Sequence, residues 1–149
     1  MILDALSTLA DPVRARMLAV LAREELAVGE LTRVLQLPQS TVSRHLKTLE
    51  QAGWLVRRSS GTSSRIQLDD ALSPSLDALW QAVHTAVSQT EEHQQDVHRL
   101  QAILAARITD SRTFFGRVHE GWDSVRREPE MSTAMDLVIS LSALLTVST

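Results

Sequence analysis

One predicted helix in the first third of the chain constrains the fold more than any other feature, because its two faces differ sharply in chemistry. Val42, Leu46 and Leu49 recur at the spacing of a single helix face, and Ala52-Gly53 supplies a helix stop. The opposite face carries short polar and cationic side chains, namely Ser40, Ser43, Arg44, Lys47 and Gln51. The pattern predicts a helix that packs on a core through one face and presents the other to a polar partner. An ordinary amphipathic surface helix would show the same periodicity, so the neighbouring segments decide.

The residues that follow this helix predict a two-stranded β-ribbon. Trp54-Leu55-Val56 is an apolar run that begins one residue after the glycine, and 65–68 alternates polar and apolar residues as a half-buried strand does. Between them, residues 57–64 form a basic, small-residue loop whose glycine suits a hairpin turn. A generic helical bundle does not need a cationic ribbon, whereas a protein that grips the DNA backbone does. The ribbon therefore predicts the wing of a winged helix-turn-helix, and the helix before it becomes the predicted recognition helix.

The remaining helices follow from apolar periodicity and from caps. Residues 28–36 predict the helix before the recognition helix, and Pro38 prevents that helix from continuing. Residues 2–10 predict a short first helix, and Asp11-Pro12 begins a second one that runs to about Glu24. The predicted fold class is mainly α with a small β-wing: a winged helix-turn-helix that dimerises through the first helix and the long helix after the wing, plus a C-terminal helical extension.

Composition is consistent with one small domain and an appendage. For a chain of 149 residues we expect a winged-helix DNA-binding and dimerisation domain over 1–90 and a helical C-terminal extension over 91–149. No apolar stretch is long enough to span a bilayer, and the first residues lack the basic region and cleavage site of a signal peptide, so a cytoplasmic protein is expected. The absence of cysteine excludes disulfides and thiolate metal sites.

The order of elements resembles the ArsR/SmtB family of small bacterial repressors. The resemblance covers residues 3 to about 100 through ALSTLADPVRARMLAVL and ELAVGELTRVLQLPQSTVSRHLKTLEQAGWLVRRSSG. Its most specific part is Leu-Pro-Gln-Ser-x-Val-Ser-x-His-Leu-x-x-Leu followed by Gly-x-Leu-Val. The resemblance implies a homodimer that binds a pseudo-palindromic operator and releases it when an inducer arrives. It also implies that Gln39, Ser40, Ser43 and Arg44 are DNA-contact positions.

The charge of the chain is distributed as a DNA-binding face requires. The net charge is −3, yet residues 31–68 carry six lysine and arginine side chains against the single carboxylate of Glu50. Phosphate attraction is screened beyond roughly 8–10 Å at physiological salt, so only this local patch has to be basic. We expect base-edge contacts from the four family positions. The expected contacts to the backbone or minor groove come from Thr41, Lys47, Arg57, Arg58 and Arg65. His45, beside Arg44, is expected to touch a phosphate or to complete the packing.

The first helix and the long helix after the wing have more apolar surface than a small winged-helix body covers. We therefore expect a symmetric dimer whose interface consists of Leu3, Leu6, Leu76, Trp80, Val83 and Val87. A dimer would also place two recognition helices about 34 Å apart, which is one turn of DNA. The alternative is that these side chains pack only within one chain.

The sequence gives little information about regulation. No metal site is expected, because alanine and glycine occupy the positions where related repressors carry thiolates, and His93, Asp96 and His98 are interpreted as a solvated polar face. The alternative is a zinc or nickel site at His93, Asp96 and His98, although positions two apart on a helix diverge. The long helix is polar all round at residues 90–96, so we expect it to be either exposed or bent there. A small-molecule inducer is left open, and no cofactor is expected.

The C-terminal part resembles the linker of proteins that fuse an ArsR-type domain to an S-adenosylmethionine-dependent methyltransferase. The matching residues are Arg112, Phe114-Phe115, Trp122-Asp123 and Arg126. No glycine-rich nucleotide loop follows, so no catalysis is expected. Residues 131–149 predict a further apolar helix docked on Phe114, Phe115 and Trp122; the alternative is an interface with a partner or with the other subunit. The predicted function is a sequence-specific transcriptional repressor without enzymatic activity. The alternatives are a winged-helix protein-interaction module and a non-catalytic remnant of such a fusion.

Overall fold

The computed structural model describes residues 1–125, apart from the side chains of residues 60 and 119–125. Six helices and two strands make up this part of the chain. In chain order they are α1 (Ile2–Leu9), α2 (Pro12–Leu21), α3 (Val28–Leu35), α4 (Gln39–Gln51), β1 (Leu55–Ser60), β2 (Ser63–Leu68), α5 (Pro74–Ser88) and α6 (Glu91–Val125). The fold class predicted from the sequence, mainly α with a two-stranded wing, is confirmed.

The second helix begins at its predicted residue and ends earlier than predicted. The Asp11 carboxylate accepts hydrogen bonds from the backbone N–H groups of Val13 at 2.8 Å and Arg14 at 3.1 Å, so Asp11 is the cap. The helix ends at Leu21 rather than near Glu24. The chain leaves the helix there because Leu26 exchanges two backbone hydrogen bonds with Ile66 of the wing, at 2.8 and 2.9 Å.

The helix-turn-helix consists of α3, a short turn and α4. Gln36 closes α3 in the left-handed conformation with φ 56°, and Pro38 precedes the first residue of α4. The predicted inner face of α4 is confirmed, since Val42, Leu46 and Leu49 are buried. Gly53 adopts φ +80° after the last turn, a conformation that favours glycine and therefore ends the helix as predicted.

The wing is an antiparallel pair that runs from Leu55 opposite Leu68 to Ser60 opposite Ser63. The prediction of a loop over residues 57–64 is therefore wrong except for the turn at 61–62, because the strands extend further toward the tip than the apolar residues do. Gly61 lies in the connecting turn with φ +60°. Trp54 and Ile66 anchor the ribbon to the body, because both are fully buried. The core they join is apolar and continuous from α2 to the wing; its largest buried members are Met17, Leu18, Leu21, Leu26, Leu31, Leu35, Leu46 and Leu49.

The single long helix predicted after the wing is divided into two helices: α5 ends at Ser88 and α6 begins at Glu91. The polar segment 90–96, expected to be exposed or bent, begins at this break between the two helices. The solvated face expected for His93, Asp96 and His98 is wrong for two of the three. His93 and Asp96 are buried, whereas His98 is exposed. The side-chain interactions of Asp96, described below, explain why a charged residue lies inside.

The chain divides into two units, and the boundary between them lies between Leu104 and Ala105. The domain boundary between residues 90 and 91 stays a prediction. In the described part of the second unit, Ile108, Phe114 and Phe115 are exposed apolar side chains. The predicted docking of residues 131–149 and the side chain of Trp122 lie outside the described residues. No helix in residues 1–125 is both long and apolar enough to cross a membrane.

Candidate nucleic-acid interface

The structure brings the predicted contact residues of α4 together on one exposed face. Ser40, Ser43, Arg44 and Lys47 are exposed and share a side of the helix because they are spaced three and four residues apart. Gln39 is exposed at the first position, and Thr41 is half-buried beside it. The face opposite is packed into the core, so the helix has a fixed rotation and cannot turn these side chains inward.

The N-terminal end of α4 is also open. Pro38 is the residue before the helix and provides no side-chain cap for the first backbone N–H groups. Such uncapped N–H groups, at the positive end of the helix dipole, interact favourably with phosphate. Within the part of the chain that the structure describes, no ion pair involves Arg44 or Lys47, so both charges face solvent.

The three predicted wing cations differ in their surroundings. Arg57 forms an ion pair with Glu50 of α4, with Nη2 2.7 Å and Nε 2.8 Å from Oε1. Arg65 lies 3.8 Å from the Glu30 carboxylate, which also accepts a hydrogen bond from the Ala27 N–H at 2.9 Å. Arg58 is exposed, and no ion pair joins it to another described residue. Arg58 is therefore the wing cation that is most available to a phosphate.

His45 takes the packing role rather than the phosphate role. It is buried on the inner side of α4, and its charge interacts with Asp11 at the start of α2. Burial acts to raise the pKa of Asp11, but the Arg14 and Val13 N–H groups, followed by the charges of Arg14 and His45, outweigh it. The pKa of Asp11 therefore lies below its ordinary value of 3.8.

The residues predicted for the dimer interface fall into two groups. Leu3 and Leu6 of α1 are exposed, at 74% and 44%, so they offer apolar surface to a second copy. Trp80 is buried in the core of its own chain and contacts His84, with ring centroids 5.2 Å apart. Leu76, Val83 and Val87 are half-buried against that core. The interface stays a prediction, and its exposed part is the α1 surface.

Sequence reasoning missed a buried ionic cluster formed by Arg16, Asp96 and Arg99. Arg16 donates Nε to Asp96 Oδ2 at 2.9 Å and Nη2 to Oδ1 at 2.8 Å, and Arg99 donates Nη2 to Oδ1 at 2.8 Å. The only local signal is the spacing of Asp96 and Arg99, three residues apart on one helix. Arg16 is 80 residues away, so no sequence pattern connects it to the pair.

His93 lies one turn before Asp96 and is buried as well. Burial lowers the pKa of His93 below its ordinary value of 6.5, and the nearby charges of Arg23, His84 and Arg16 act in the same direction, while that of Asp96 opposes them. Its Nδ1 has no hydrogen-bond partner among the described residues. No group of three or more potential ligands among those residues could hold a metal ion.

Comparison with known proteins agrees with this geometry. Residues 9–58 match a family model described as a helix-turn-helix domain. The chain is 38% identical over 96 residues to the HTH-type transcriptional regulator Rv2034 of Mycobacterium tuberculosis, covering 62% of this chain and 90% of that protein. It is 43% identical over 76 residues to the arsenic resistance transcriptional regulator ArsR1 of Pseudomonas putida, covering 50% of this chain and 59% of ArsR1.

A solved structure gives the same result for the fold. The transcriptional repressor BigR from Xylella fastidiosa matches with a TM-score of 0.50 and 26% identity, over 58% of this chain and 85% of BigR. The fold and the exposed face of α4 thus define a winged helix-turn-helix transcriptional regulator. The chain belongs to the ArsR/SmtB family of these regulators. Both of the relatives above, Rv2034 and ArsR1, are transcriptional regulators.

Proposed function

We propose that this protein is a homodimeric transcriptional repressor that binds a pseudo-palindromic operator through α4. The observation that carries the proposal is the chemistry of that helix, whose inner face is fully buried while Ser40, Ser43 and Arg44 stand exposed. Short hydroxyls allow the helix to approach base edges closely, and an arginine can pair with guanine in two hydrogen bonds. The repressor role is supported by the related BigR, which is a transcriptional repressor.

The proposed DNA contacts fall into two classes, those to base edges in the major groove and those to phosphates or the minor groove. Base-edge contacts come from Gln39, Ser40, Ser43 and Arg44, which lie on the first turns of α4. Contacts to phosphates or the minor groove come from the remaining predicted residues, Thr41, Lys47, Arg57, Arg58 and Arg65. The uncapped first turn of α4 adds backbone N–H groups for a phosphate.

Dimerisation would bury the open apolar surface of α1. Leu3 and Leu6 are the exposed members of the proposed interface, and a two-fold axis beside them would present two recognition helices to successive turns of DNA. As a DNA-binding regulator the protein would act in the cytoplasm. The proposal leaves open which small-molecule inducer, if any, releases the operator.

The test is fluorescence anisotropy of the purified protein on its own upstream DNA across a salt series. We expect a Kd near 10⁻⁸ M or tighter for the operator and much weaker binding to scrambled DNA. Ser43→Glu should lose operator binding by more than 100-fold, because it places a carboxylate in the groove against phosphates. Ser111→Glu, an equal charge change on exposed α6, is the matched control and should bind normally.

Two results would contradict the proposal. Equal affinity of the wild-type protein for operator and scrambled DNA would mean that α4 reads no sequence. Normal operator binding by Ser43→Glu would mean that the helix does not enter the groove as proposed. Arg65→Ala supplies an intermediate check, since it should weaken binding to all sequences and flatten the salt slope by about one unit.

The exposed aromatic residues of α6 favour a second candidate function, a protein-interaction role for the extension. Phe114 and Phe115 contact each other edge-on, with centroids 5.9 Å apart, and both remain exposed. A stable hetero-complex formed by a protein without operator affinity would support this candidate over the first. Calorimetry with S-adenosylmethionine tests whether any methyltransferase function remains. We expect no binding heat, and measurable binding would favour that alternative.

A further inference from the structure

Asp96 is a fully buried carboxylate that lies between two guanidinium groups. Arg16 comes from α2 and Arg99 from the next turn of α6, and together they donate three hydrogen bonds of 2.8–2.9 Å to the carboxylate. A buried carboxylate without such partners would be strongly unfavourable. The same hydrogen bonds stabilise the charged form of Arg16, because the hydrogen bond to Asp96 raises the pKa of Arg16.

Both guanidinium groups also reach the end of the helix that precedes α4. Arg16 Nη2 donates to the Leu35 carbonyl at 3.4 Å, and Arg99 Nε donates to the Val34 carbonyl. These carbonyls belong to the last turn of α3, where the helix leaves them without helical partners. Cations at this end of a helix also interact favourably with its dipole.

The turn that orients α4 starts directly after these two carbonyls. Gln36 has φ 56°, its N–H donates to the Thr32 carbonyl, and Pro38 is the last residue before α4. A displacement of the last turn of α3 would therefore pass directly into this turn. The position of α4 depends on it, because only two residues, Leu37 and Pro38, separate Gln36 from the helix.

We propose that Asp96 is a positioning residue for DNA reading, which holds Arg16 and Arg99 on the α3 terminus and so couples α6 to the orientation of α4. The inference rests on the proposed DNA-binding function. Without the Asp96 charge, two guanidinium groups would face each other across a buried site, and their repulsion would draw them away from the carbonyls. Leu100, buried on the next turn of α6, keeps this part of the helix docked, so the loss would act on the α3 terminus.

The deciding comparison is Asp96→Asn against Glu91→Gln. Both variants lie on α6 and change the net charge from −3 to −2, but Glu91 is exposed and outside the cluster. The lower negative charge alone would strengthen DNA binding slightly in both. We expect Asp96→Asn to lose at least ten-fold in operator affinity while its affinity for scrambled DNA stays unchanged or rises. Glu91→Gln should bind both DNAs like the wild type.

A merely stabilising role of the cluster would give a different result. Affinities are compared under conditions where circular dichroism shows each variant fully folded, so lost stability does not reduce the active fraction. An operator Kd unchanged in folded Asp96→Asn would overturn the inference. If Asp96→Asn does not fold, Arg99→Lys replaces it, because lysine keeps the charge but cannot reach both Asp96 and Val34 with a guanidinium fork. A three-fold or larger operator-specific loss is then expected, and no loss would overturn the inference.

Hydrogen–deuterium exchange separates failure of this inference from failure of the proposed function. In the absence of DNA, Asp96→Asn should accelerate amide exchange across residues 34–42 and leave the wing unchanged. Unchanged exchange in the turn would overturn the positioning role whatever the DNA result. If the wild-type protein reads no sequence but the turn loosens in Asp96→Asn, the proposed DNA function fails, and the positioning role for DNA reading fails with it, while the structural link from α6 to the turn stands.

Discussion

Glu50 on the last turn of α4 and Arg57 on β1 form an ion pair, with Arg57 Nη2 2.7 Å from Glu50 Oε1. The pair joins the recognition helix to the wing that follows it. Glu50 is the only carboxylate among residues 31–68, and its pairing with Arg57 neutralises one of the cations that the sequence assigns to DNA. The wing therefore presents Arg58 as its more available charge.

Removing the Glu50 charge should strengthen DNA binding. Glu50→Gln would free Arg57 for a phosphate and remove a negative charge from the binding face, so we expect a two- to ten-fold lower Kd and a steeper salt slope. Arg58→Ala should weaken binding more than Arg57→Ala, since among the described residues Arg57 has an ion-pair partner and Arg58 has none. Anisotropy titrations at three salt concentrations measure both effects. A weaker Glu50→Gln complex would show that the pair is needed to hold the wing.

Stability should fall on mild acidification because of His93. The folded chain disfavours protonation of this buried imidazole, whose pKa is below 6.5, whereas the unfolded chain protonates it normally. Between those two pKa values the unfolded state binds more protons, so the free energy of unfolding decreases as the pH falls through 6.5. Urea unfolding from pH 7.5 to 5.5 measures the slope. His93→Gln should reduce it, and His98→Gln, an exposed histidine on the same helix, should leave it unchanged.

The α2 cap should depend on Asp11 in two separable ways. Asp11→Ala removes the acceptor for the Val13 and Arg14 N–H groups and should cost about 1 kcal/mol of unfolding free energy. Asp11→Asn keeps an acceptor but loses the charge, so it should cost less at pH 7. Because the folded pKa of Asp11 is depressed, its charge stabilises the fold above pH 3.8 and stops doing so as the pH falls through the folded pKa. Acid titration should therefore show convergence of wild type and Asp11→Asn.

Two glycine substitutions should have opposite effects. Gly53→Ala places a side chain at φ +80°, which should cost about 1 kcal/mol although no atom lies within 4 Å of the added Cβ. Gly29→Ala introduces a better helix former in α3, also in open space, and should stabilise by up to about 1 kcal/mol. Thermal unfolding of both variants tests the assignment. Equal shifts of the same sign would contradict the helix stop at Gly53.

The dimer prediction can be tested on the exposed surface of α1. Leu3→Glu should convert a dimer to a monomer in light scattering, because it would bury a carboxylate in the proposed apolar interface. Ile108→Glu changes an exposed apolar residue of the second unit and should leave the oligomeric state unchanged. A wild-type monomer at micromolar concentration would contradict the interface. A dimer that Leu3→Glu leaves intact would place the interface elsewhere.

The sequence by itself determined the elements whose signals are local. The 3.6-residue period of Val42, Leu46 and Leu49 defined α4, and the Asp11-Pro12 pair defined the start of α2. The alternation of residues 65–68 identified β2 but not its first two residues. Each signal works within a few residues, because helix and strand geometry repeat over that distance. The exposed face of α4 followed from the same periodicity, so its residues could be named without a structure.

Only the tertiary structure decided where charges meet across distant segments. The burial of Asp96 depends on Arg16, which is 80 residues away, and the early end of α2 depends on pairing between Leu26 and Ile66. His93 and Asp96 looked solvated because a polar sequence carries no sign of the partners that a fold will bring to it. The pairing of Arg57 with Glu50 also became visible only in the structure, because it depends on how β1 packs beside α4. Periodicity specifies which side of an element is buried, whereas the pairing of buried or neighbouring charges is fixed only when the elements pack together.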